Sequence, residues 1–341
     1  MTKRMLVRVL NLLGAAVAVV AVVPVAARLL EPRYGTPIPQ LAAFGPWVLP
    51  LWVVAGALLL LGRRRRSAGV VLVIVAVVLA VGIGWQVPPG AARASVRTSA
   101  DSGTEVRVMT QNVLFGRADA TQLLTLVRQH RVDVLVVEEL SPDFLARFRA
   151  AGIDEVLGHA DLHPHQRAAG TGIWSRWPLR ANGSLPSAGF EMPAVSITVP
   201  GLVDPGGSGG TLAVTGIHTR APVPRSGPLT GWRHDLAMIA RTETARDKQL
   251  GPQIYVGDFN ASRDQSGFRA ILDTGLVDAA DALPAAAWPG FTWPANQPGP
   301  AFTRIDHVLL TPSSIGVRKV TVLTLTGTDH HGVVADLLIR R

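Results

Sequence analysis

The sequence predicts a mixed α/β fold for residues 105–341, with two packed β-sheets covered by helices in an α+β arrangement. Short apolar runs typical of buried strands alternate there with turn clusters, and helical patterns with one apolar face lie between some of them. The region spans about 235 residues, which is enough to enclose a large core between layers. Three longer apolar segments precede it in the 341-residue chain, and they need a separate explanation.

The first elements of this region show the pattern most clearly. Residues 106–110 and 133–138 predict strands, the second of them buried on both faces. Between them, Asp119-Ala-Thr-Gln122 predicts a capping box that begins a helix with Leu123 and Val127 on its apolar face. The remaining predicted elements are strands at 196–199, 211–217, 253–257, 308–310, 317–325 and 333–339, and helices at 229–248 and 267–274.

The three N-terminal apolar segments predict transmembrane helices at about 6–29, 41–61 and 68–87. Each has roughly the ~20 residues that a helix needs to cross ~30 Å of hydrocarbon. The first segment, with its basic start at 3–8, has the alternative interpretation of a cleaved signal peptide. Its length and the two segments that follow favour a helix that stays in place.

Charge is divided unevenly along the chain. Residues 1–100 carry 11 Lys and Arg residues and one acidic residue. Residues 101–341 carry 22 Lys and Arg residues and 23 acidic residues. The net charge of +9 therefore belongs to the membrane segment, and the rest has no basic footprint for a polyanion. The four arginines at 63–66 lie between the second and third segments, so the positive-inside rule places them and the N-terminus in the cytoplasm.

These observations predict a multi-pass protein of the cell membrane with an extracytoplasmic domain. Residues 1–87 form the anchor, residues 88–104 form a Pro-, Gly- and Ser-containing linker, and residues 105–341 form the exported domain. The chain has no cysteine, as expected of an exported domain without disulfides. No obligate protein partner is evident.

Polar residues follow several predicted strands where each strand ends. Gly257-Asp258-Phe259-Asn260 is the strongest of these motifs, because glycine permits a close backbone approach, Asp supplies an anionic oxygen and Asn both donates and accepts. The alternative is an ordinary Asx turn. Of the adjacent Glu138 and Glu139, strand alternation predicts that only one faces the sheet end.

Other strand ends are ambiguous when each is taken alone. Asn112 is typical of a turn, and His218 of a satisfied core histidine. Asp306-His307 and Asp329-His330 together supply carboxylates and imidazoles, the combination in which the acid orients the ring and stabilises its charged form.

This inventory favours hydrolysis of a phosphate ester. Hard oxygen ligands suit Mg²⁺ or Mn²⁺, whereas the absence of cysteine and of a His-x-x-x-His pair argues against zinc. The sequence contains no Walker loop, Gly-x-Ser-x-Gly elbow or cysteine nucleophile.

Taken in order, the motifs resemble the endonuclease/exonuclease/phosphatase superfamily, which has the DNase I-like fold. The motifs are Gln111-Asn112-Val113, Asp133–Leu140, Gly172–Arg176, Gly216-Ile217-His218, Gly257–Asn260, Arg304–His307 and Thr328-Asp329-His330. The resemblance covers residues 105–341 and implies a four-layer α/β sandwich with its site at one edge of two packed sheets.

The resemblance also implies a role for each position. Glu139 matches the metal-binding Glu, with Asn112 and Asp329 beside the metal, and Glu138 stands where Gln is more usual. Asp258 matches the residue that orients or deprotonates the attacking water. The other implied roles are phosphate binding by Asn260 and His218, catalysis by His330 with Asp306 as its orienting acid, assistance to the phosphate or simple packing by Arg304, and a peripheral position for His331.

The predicted function is a membrane-anchored, metal-dependent phosphoesterase acting on a lipid head group, a nucleic acid or a small phosphodiester. An extracellular nuclease of the same fold is one alternative, and a non-catalytic membrane-binding module is another. Trp232, Trp288, Phe291 and Trp293 are candidates for contact with a lipid surface or a base, and equally for the core.

Overall fold

The computed structural model describes residues 2–31, 36–62, 103–203, 209–222, 229–246, 251–283 and 290–340. The chain divides into an N-terminal unit and a larger C-terminal unit. The predicted third membrane segment at 68–87, the arginines at 63–66 and Trp288 lie outside the described residues.

Among the described residues, one helix is long and apolar enough to cross a membrane. Helix α1 (Lys3–Leu30) has 28 residues, which is about 42 Å at ~1.5 Å per residue. Its apolar side chains are largely exposed, including Leu12 at 71% and Leu29 at 70%. Such a helix is stable where its surroundings are apolar, as in a lipid bilayer.

The segment at 41–61 differs from the predicted single span. Helix α2 (Ile38–Ala42) ends early, a 3₁₀ turn at Gly45–Trp47 contains a proline, and helix α3 (Val48–Leu61) has only 14 residues, about 21 Å. A continuous apolar sequence is therefore broken by glycine and proline, and the prediction of a full-length helix over these residues is wrong.

The described residues of the C-terminal unit form two six-stranded sheets, with strand orders β11-β12-β1-β2-β4-β3 and β5-β6-β7-β8-β10-β9. The strands are β1 (Thr104–Asn112), β2 (Val134–Glu138), β3 (His159–His163), β4 (Thr171–Ser175), β5 (Leu179–Ser184), β6 (Pro193–Val203), β7 (Gly209–His218), β8 (Gln253–Asp258), β9 (Val277–Asp278), β10 (Asp306–Leu310), β11 (Ile315–Leu323) and β12 (Gly332–Ile339). The helices are α4 (Ala120–Gln129), α5 (Pro142–Ala151), α6 (Ile153–Val156), α7 (Leu229–Ala245) and α8 (Ser266–Leu272).

Three apolar clusters hold these layers together. The first lies between the sheets, where Val108 and Val136 of one sheet face the space shared with Val214 and Val256 of the other. The second joins the outer face of the first sheet to α4 and α5, and the third joins the outer face of the second sheet to α7 and α8. The order helix, sheet, sheet, helix is the sandwich that the sequence predicted.

The predicted start of α4 is correct in part. Asp119 caps the helix by accepting hydrogen bonds from the backbone amides of Thr121 and Gln122 at 2.9 and 3.0 Å. Gln122 does not return the capping-box bond, because its side-chain oxygen instead accepts from the amide of Thr326 at 2.8 Å. A partner distant in sequence has displaced the local one.

Candidate active site

The strand directions bring the polar strand ends together at one edge of the sandwich. The parallel pair β1 and β2 sets Asn112 opposite Glu138, and the parallel pair β7 and β8 sets His218 opposite Asp258. Strand β10 runs antiparallel to β8 and begins at Asp306, directly opposite Asp258. Since alternate residues share a face, these side chains continue the rows that line the space between the sheets.

The carboxylate of Asp258 is the centre of this cluster. Its Oδ2 accepts hydrogen bonds from Nδ2 of Asn112 at 3.1 Å and from Nδ2 of Asn260 at 3.2 Å. The Nε2 atoms of His330 and His218 lie 3.8 and 3.9 Å from the same oxygen. One carboxylate oxygen therefore faces two amides and two imidazoles.

The turn after β8 needs its glycine and its asparagine. Gly257 has φ +150°, and a Cβ there would stand 1.9 Å from the carbonyl oxygen of Ile217, so a side chain is excluded. Asn260 has φ +46°, a conformation that asparagine tolerates, and its backbone amide donates to Oδ1 of Asp258 at 2.7 Å. Trp232 fixes the turn by donating its indole N–H to the Asn260 carbonyl at 3.2 Å.

His330 is oriented by Asp306. Its Nδ1 lies 3.1 Å from both carboxylate oxygens of Asp306, which leaves Nε2 directed toward Asp258 and 4.0 Å from Oδ1 of Asp329. Thr292 accepts from the Asp306 amide at 3.2 Å, and Thr328 accepts from the His330 amide at 3.1 Å. Both members of the pair are thus held at the backbone as well as at the side chain.

Burial and neighbouring charges give the two imidazoles opposite protonation states. Burial by itself lowers the pKa of His330, but the carboxylates of Asp306 and Asp258 raise it to about 10. Burial and the charge of His330 lower the pKa of His218 to about 3. Near neutral pH, His330 is therefore a cation and His218 is uncharged. Burial also raises the pKa of Asp258.

His218 is held by stacking. The ring of Phe190 lies 4.6 Å from its ring, centroid to centroid, and the guanidinium of Arg220 lies 5.7 Å from the Phe190 centroid. The buried carboxylate of Asp235 joins the two chain segments, accepting from the Ala188 amide at 2.6 Å and the Arg220 amide at 3.2 Å.

Glu139 lies on the other side of Asn112. Its backbone is left-handed, with φ +57°, and its carboxylate accepts from Nδ2 of Asn112 at 3.2 Å and from the Phe115 amide at 2.7 Å. Burial raises the pKa of the Glu139 carboxyl. The Asn112 oxygen accepts from the amide of Leu114 at 2.9 Å, so Asn112 presents its NH₂ group to the two carboxylates.

One group of donors among the described residues lies close enough together to hold a divalent metal, and the ligands implied by the resemblance, Glu139 and Asp329, are a second candidate. Asp258, Asp306 and His330 lie within 4.8 Å of one another, but all three already bond to protein groups. Glu139 and Asp329 offer only hard oxygens, and Oδ1 of Asp329 is buried without a hydrogen-bond partner among the described residues. This second set fits the oxygen preference of Mg²⁺ or Mn²⁺ better.

The prediction that only one of two adjacent carboxylates faces the sheet end is wrong. Glu138 is fully buried beside the site, where its Oε1 accepts from the Thr110 hydroxyl at 2.6 Å. Burial raises its pKa well above the ordinary value, and the charges of Asp306 and Asp258 add to the effect. The left-handed backbone of Glu139 ends the alternation, so both carboxyl groups reach the same region.

Arg304 lies in a separate ion-pair cluster. Its Nη2 is 2.7 Å from Oδ1 of Asp281 and 3.4 Å from Oδ2 of Asp278. Of its two predicted roles, this geometry matches packing, and the structure does not bring it into the group around Asp258. His331 is half-buried and weakly bonded to Thr324 at 3.4 Å, in agreement with a peripheral position.

Sequence reasoning missed the residues that hold the site in place. Thr110 and Thr292 are buried hydroxyls with no motif to mark them, and the buried hydroxyl of Thr328 lies in a motif but had no predicted role. Among the candidate aromatics, Trp232 is buried against the Asn260 turn, and Trp293 donates its indole N–H to Oδ2 of Asp329 at 3.2 Å. These residues could be identified only by their contacts with motif residues in the folded protein, and the sequence does not show those contacts.

Solved structures of low sequence identity resemble this fold. An endonuclease/exonuclease/phosphatase from Beutenbergia cavernae DSM 12333 is 20% identical, with a TM-score of 0.51 over 69% of this chain and 72% of that chain. A family protein from Bacteroides thetaiotaomicron is 17% identical, with a TM-score of 0.52 over 70% and 100%. D. rerio TDP2, complexed with single-strand DNA product, is 16% identical, with a TM-score of 0.52 over 69% and 99%.

A comparison with curated protein sequences finds no match. The model of the Endonuclease/Exonuclease/phosphatase family matches residues 109–330, which is well over half of the chain and includes every candidate from Asn112 to His330. The solved structures show the same DNase I-like sandwich of two sheets. The chain therefore belongs to the endonuclease/exonuclease/phosphatase family and is a hydrolase of phosphate ester bonds.

Proposed function

We propose that this protein is a membrane-anchored, divalent-metal-dependent phosphoesterase that hydrolyses a phosphodiester or phosphomonoester by in-line attack of water. The observation that carries the proposal is the convergence of two amides and two imidazoles on Oδ2 of Asp258, with one imidazole oriented by Asp306. No side chain in this group is a nucleophile of the serine or cysteine type, so water is the proposed attacking group.

In this mechanism Asp258 accepts a proton from the attacking water. Burial raises the pKa of Asp258 to about 8, so its carboxylate is a stronger base than an exposed aspartate and the ionised, active fraction grows as the pH rises through that value. The amide of Asn260 and the uncharged ring of His218 hold the phosphoryl oxygens. The cationic His330, fixed by Asp306, stabilises the negative charge that develops on those oxygens or on the leaving group.

Glu139 and Asp329 would hold Mg²⁺ or Mn²⁺, with Asn112 keeping the Glu139 carboxylate in position. A metal bound there supplies positive charge to the phosphate ester. Trp293 and the Phe115 amide restrict the two carboxylates, so both are presented in fixed orientations.

Hydrolysis of bis-p-nitrophenyl phosphate by the full-length protein in detergent tests the function. We expect turnover with Mg²⁺ or Mn²⁺ that EDTA abolishes. Glu139→Ala and Asp258→Asn should each lower kcat by a factor of roughly 10²–10⁴, as expected for loss of a metal ligand or general base. Glu155→Ala, which changes an exposed carboxylate on α6, is the control and should retain full activity.

Two results would contradict the proposal. Wild-type activity in a folded Glu139→Ala or Asp258→Asn protein would remove these residues from the mechanism. A folded wild-type protein that hydrolyses no phosphate ester with any divalent metal would favour the non-catalytic binding module. Comparison of single-stranded DNA with phospholipid vesicles at equal enzyme concentration separates a nuclease from a lipid phosphodiesterase.

We also propose that residues 1–87 anchor the protein in the membrane, with Lys3–Leu30 as a spanning helix, 88–104 as linker and 105–341 outside the cell. The absence of cysteine allows single introduced cysteines to report topology without background. An impermeant maleimide added to intact cells should label Ser313→Cys and leave Thr2→Cys unlabelled. Ser67→Cys, beside the four arginines, reports the number of spans. It should be protected from the maleimide if the chain crosses the membrane three times and labelled if it crosses once.

A further inference from the structure

The loop that follows β1, residues 113–118, has an enforced shape. Leu114 and Phe115 have φ of +47° and +53°, a left-handed conformation that costs non-glycine residues roughly 1–2 kcal/mol each. The Leu114 amide donates to the Asn112 side chain and the Phe115 amide donates to Glu139. Gly116 packs so closely on α5 that a Cβ there would lie 2.1 Å from the Ser141 hydroxyl oxygen. Candidate site residues thus hold the loop in this strained form.

This conformation leaves the side chain of Phe115 in solvent. It is 44% exposed, whereas every other large hydrophobic side chain among the described residues of 103–340 is buried or half-buried. Isolated exposed apolar residues are ordinary on protein surfaces. Phe115 differs from such residues, because its backbone amide donates to the proposed metal ligand Glu139 and its backbone is held in a strained conformation.

Arg117 stands beside the exposed ring. Its guanidinium carbon lies 5.8 Å from the centroid of Phe115, within the range of a cation–π contact. The Arg117 side chain is exposed and has no carboxylate partner among the described residues. The pair therefore offers an apolar ring face supported by a positive charge, at the rim of a site for an anionic ester.

We propose that Phe115, supported by Arg117, is a subsite for a flat unsaturated ring, such as a nucleobase, carried by the non-reacting ester group of a phosphodiester substrate. This inference rests on the proposed phosphoesterase function. Stacking of a base on an aromatic side chain contributes ~1–3 kcal/mol, and the positive charge of Arg117 favours the adjoining phosphate. A single exposed ring on a unit without net basic charge is too small an apolar surface for binding to lipid.

Two substrates with the same leaving group test the subsite in the full-length protein. Thymidine 5′-(p-nitrophenyl phosphate) carries a base on the retained group, and methyl p-nitrophenyl phosphate does not. We expect wild-type kcat/KM to be about 5- to 150-fold higher for the thymidine ester, which is the stacking energy expressed as a ratio. Phe115→Ala should bring this ratio close to one, Phe115→Trp should retain it, and Arg117→Gln should lower it by a smaller factor.

Leu126→Ala, an apolar truncation at the half-buried surface of α4, is the control and should leave the ratio unchanged. Equal wild-type kcat/KM for the two esters, or an unaltered ratio in Phe115→Ala, would overturn the subsite while the phosphoesterase assignment stands. Failure to hydrolyse either ester would instead contradict the proposed function. An unaltered ratio combined with slower hydrolysis of a phospholipid in mixed micelles would replace the ring subsite with a lipid contact.

Discussion

Two buried histidine–aspartate pairs lie close together in this fold, and they differ in what the second ring nitrogen contacts. His330 binds Asp306 through Nδ1, and its Nε2 faces two carboxylates at 3.8 and 4.0 Å. His307 lies 2.6 Å from Asp278 through Nδ1, and its Nε2 lies 3.0 Å from the carbonyl oxygen of Ala261. Both pairs follow the same chemical pattern, but only His330 keeps a nitrogen free of a direct hydrogen bond.

The difference separates a group able to act on a substrate from one that holds the fold. The Nε2 of His307 is within hydrogen-bond distance of a backbone oxygen, so contact with a substrate would cost that bond. The Nε2 of His330 has no partner at hydrogen-bond distance among the described residues and points toward the proposed phosphate position. The sequence motif around a histidine is thus a weaker guide to its role than the contacts of both nitrogens.

The largest expected effect is a difference in kcat between the variants of the two histidines. His330→Gln should lower kcat by about 10²–10⁴, because the variant loses an acid or charge-stabilising group, whereas His307→Gln should keep kcat close to wild type. Both variants break a buried pair and should lower the apparent unfolding temperature. His307→Gln should lower that temperature by roughly 6–20 °C, since breaking a buried pair costs ~3–5 kcal/mol. Steady-state kinetics and thermal unfolding of the detergent-solubilised protein measure both.

Loss of activity without destabilisation in His307→Gln would reverse the assignment of the two pairs. His331→Gln is the matched control for both variants. It changes the half-buried neighbour of His330 and should alter neither kcat nor the unfolding temperature appreciably.

The second prediction concerns Asp278, the carboxylate partner of His307. Burial by itself raises the pKa of Asp278, but Arg304 and His307 outweigh it and hold that pKa below the ordinary value of 3.8. A lowered folded-state pKa gives stability that is complete above the unfolded pKa and is lost as the pH falls through the folded one. Asp278→Asn should therefore be less stable than wild type above pH ~5, with a difference that shrinks below pH ~4.

Thermal unfolding from pH 3 to pH 7 checks this dependence. Asp273→Asn, at an exposed position after α8, should follow the wild-type curve at every pH. A stability difference between Asp278→Asn and wild type that stays constant with pH would mean that the carboxylate has the same pKa in the folded and unfolded states.

The sequence predicted the layers of the fold well because hydrophobic periodicity records burial directly. The strands at 253–257 and 333–339 lie within a residue or so of β8 and β12. Strand β5 was missed because its residues are largely exposed, and the break before α3 was missed because hydropathy averages over a glycine and a proline.

Strand ends marked the polar residues from Asn112 to His330 as candidates, and the ordered resemblance to the family supplied their predicted roles. The position of Arg304 on Asp278 and Asp281 depended on side-chain partners that are distant in sequence. The convergence of Glu138 and Glu139 depended on one left-handed residue, which no periodicity marks. Sequence patterns do not reveal contacts that form only when the two sheets pack together.

His218 is a third buried imidazole, and no carboxylate of the described residues lies within hydrogen-bond distance of it. Its Nε2 is 3.9 Å from Asp258, its Nδ1 has no hydrogen-bond partner among the described residues, and its ring lies against Phe190. The tilted contact with Phe190 therefore helps to fix the ring, and such an aromatic contact contributes ~0.5–1.5 kcal/mol beyond the buried area. Such a contact sets orientation more weakly than the carboxylate that holds His330.

Phe190→Ala should accordingly have the smallest effect of the three, lowering kcat by about 3- to 10-fold, which corresponds to the loss of roughly 1 kcal/mol of positioning. Phe190→Tyr keeps the ring face and should restore the rate, whereas Phe190→Leu keeps the apolar volume without the ring face and should not. If leucine restores the rate as well as tyrosine, packing volume positions His218. A loss in Phe190→Ala as large as that in His330→Gln would mean that stacking orients an imidazole as firmly as a paired carboxylate, and the contrast among the three histidines would fail.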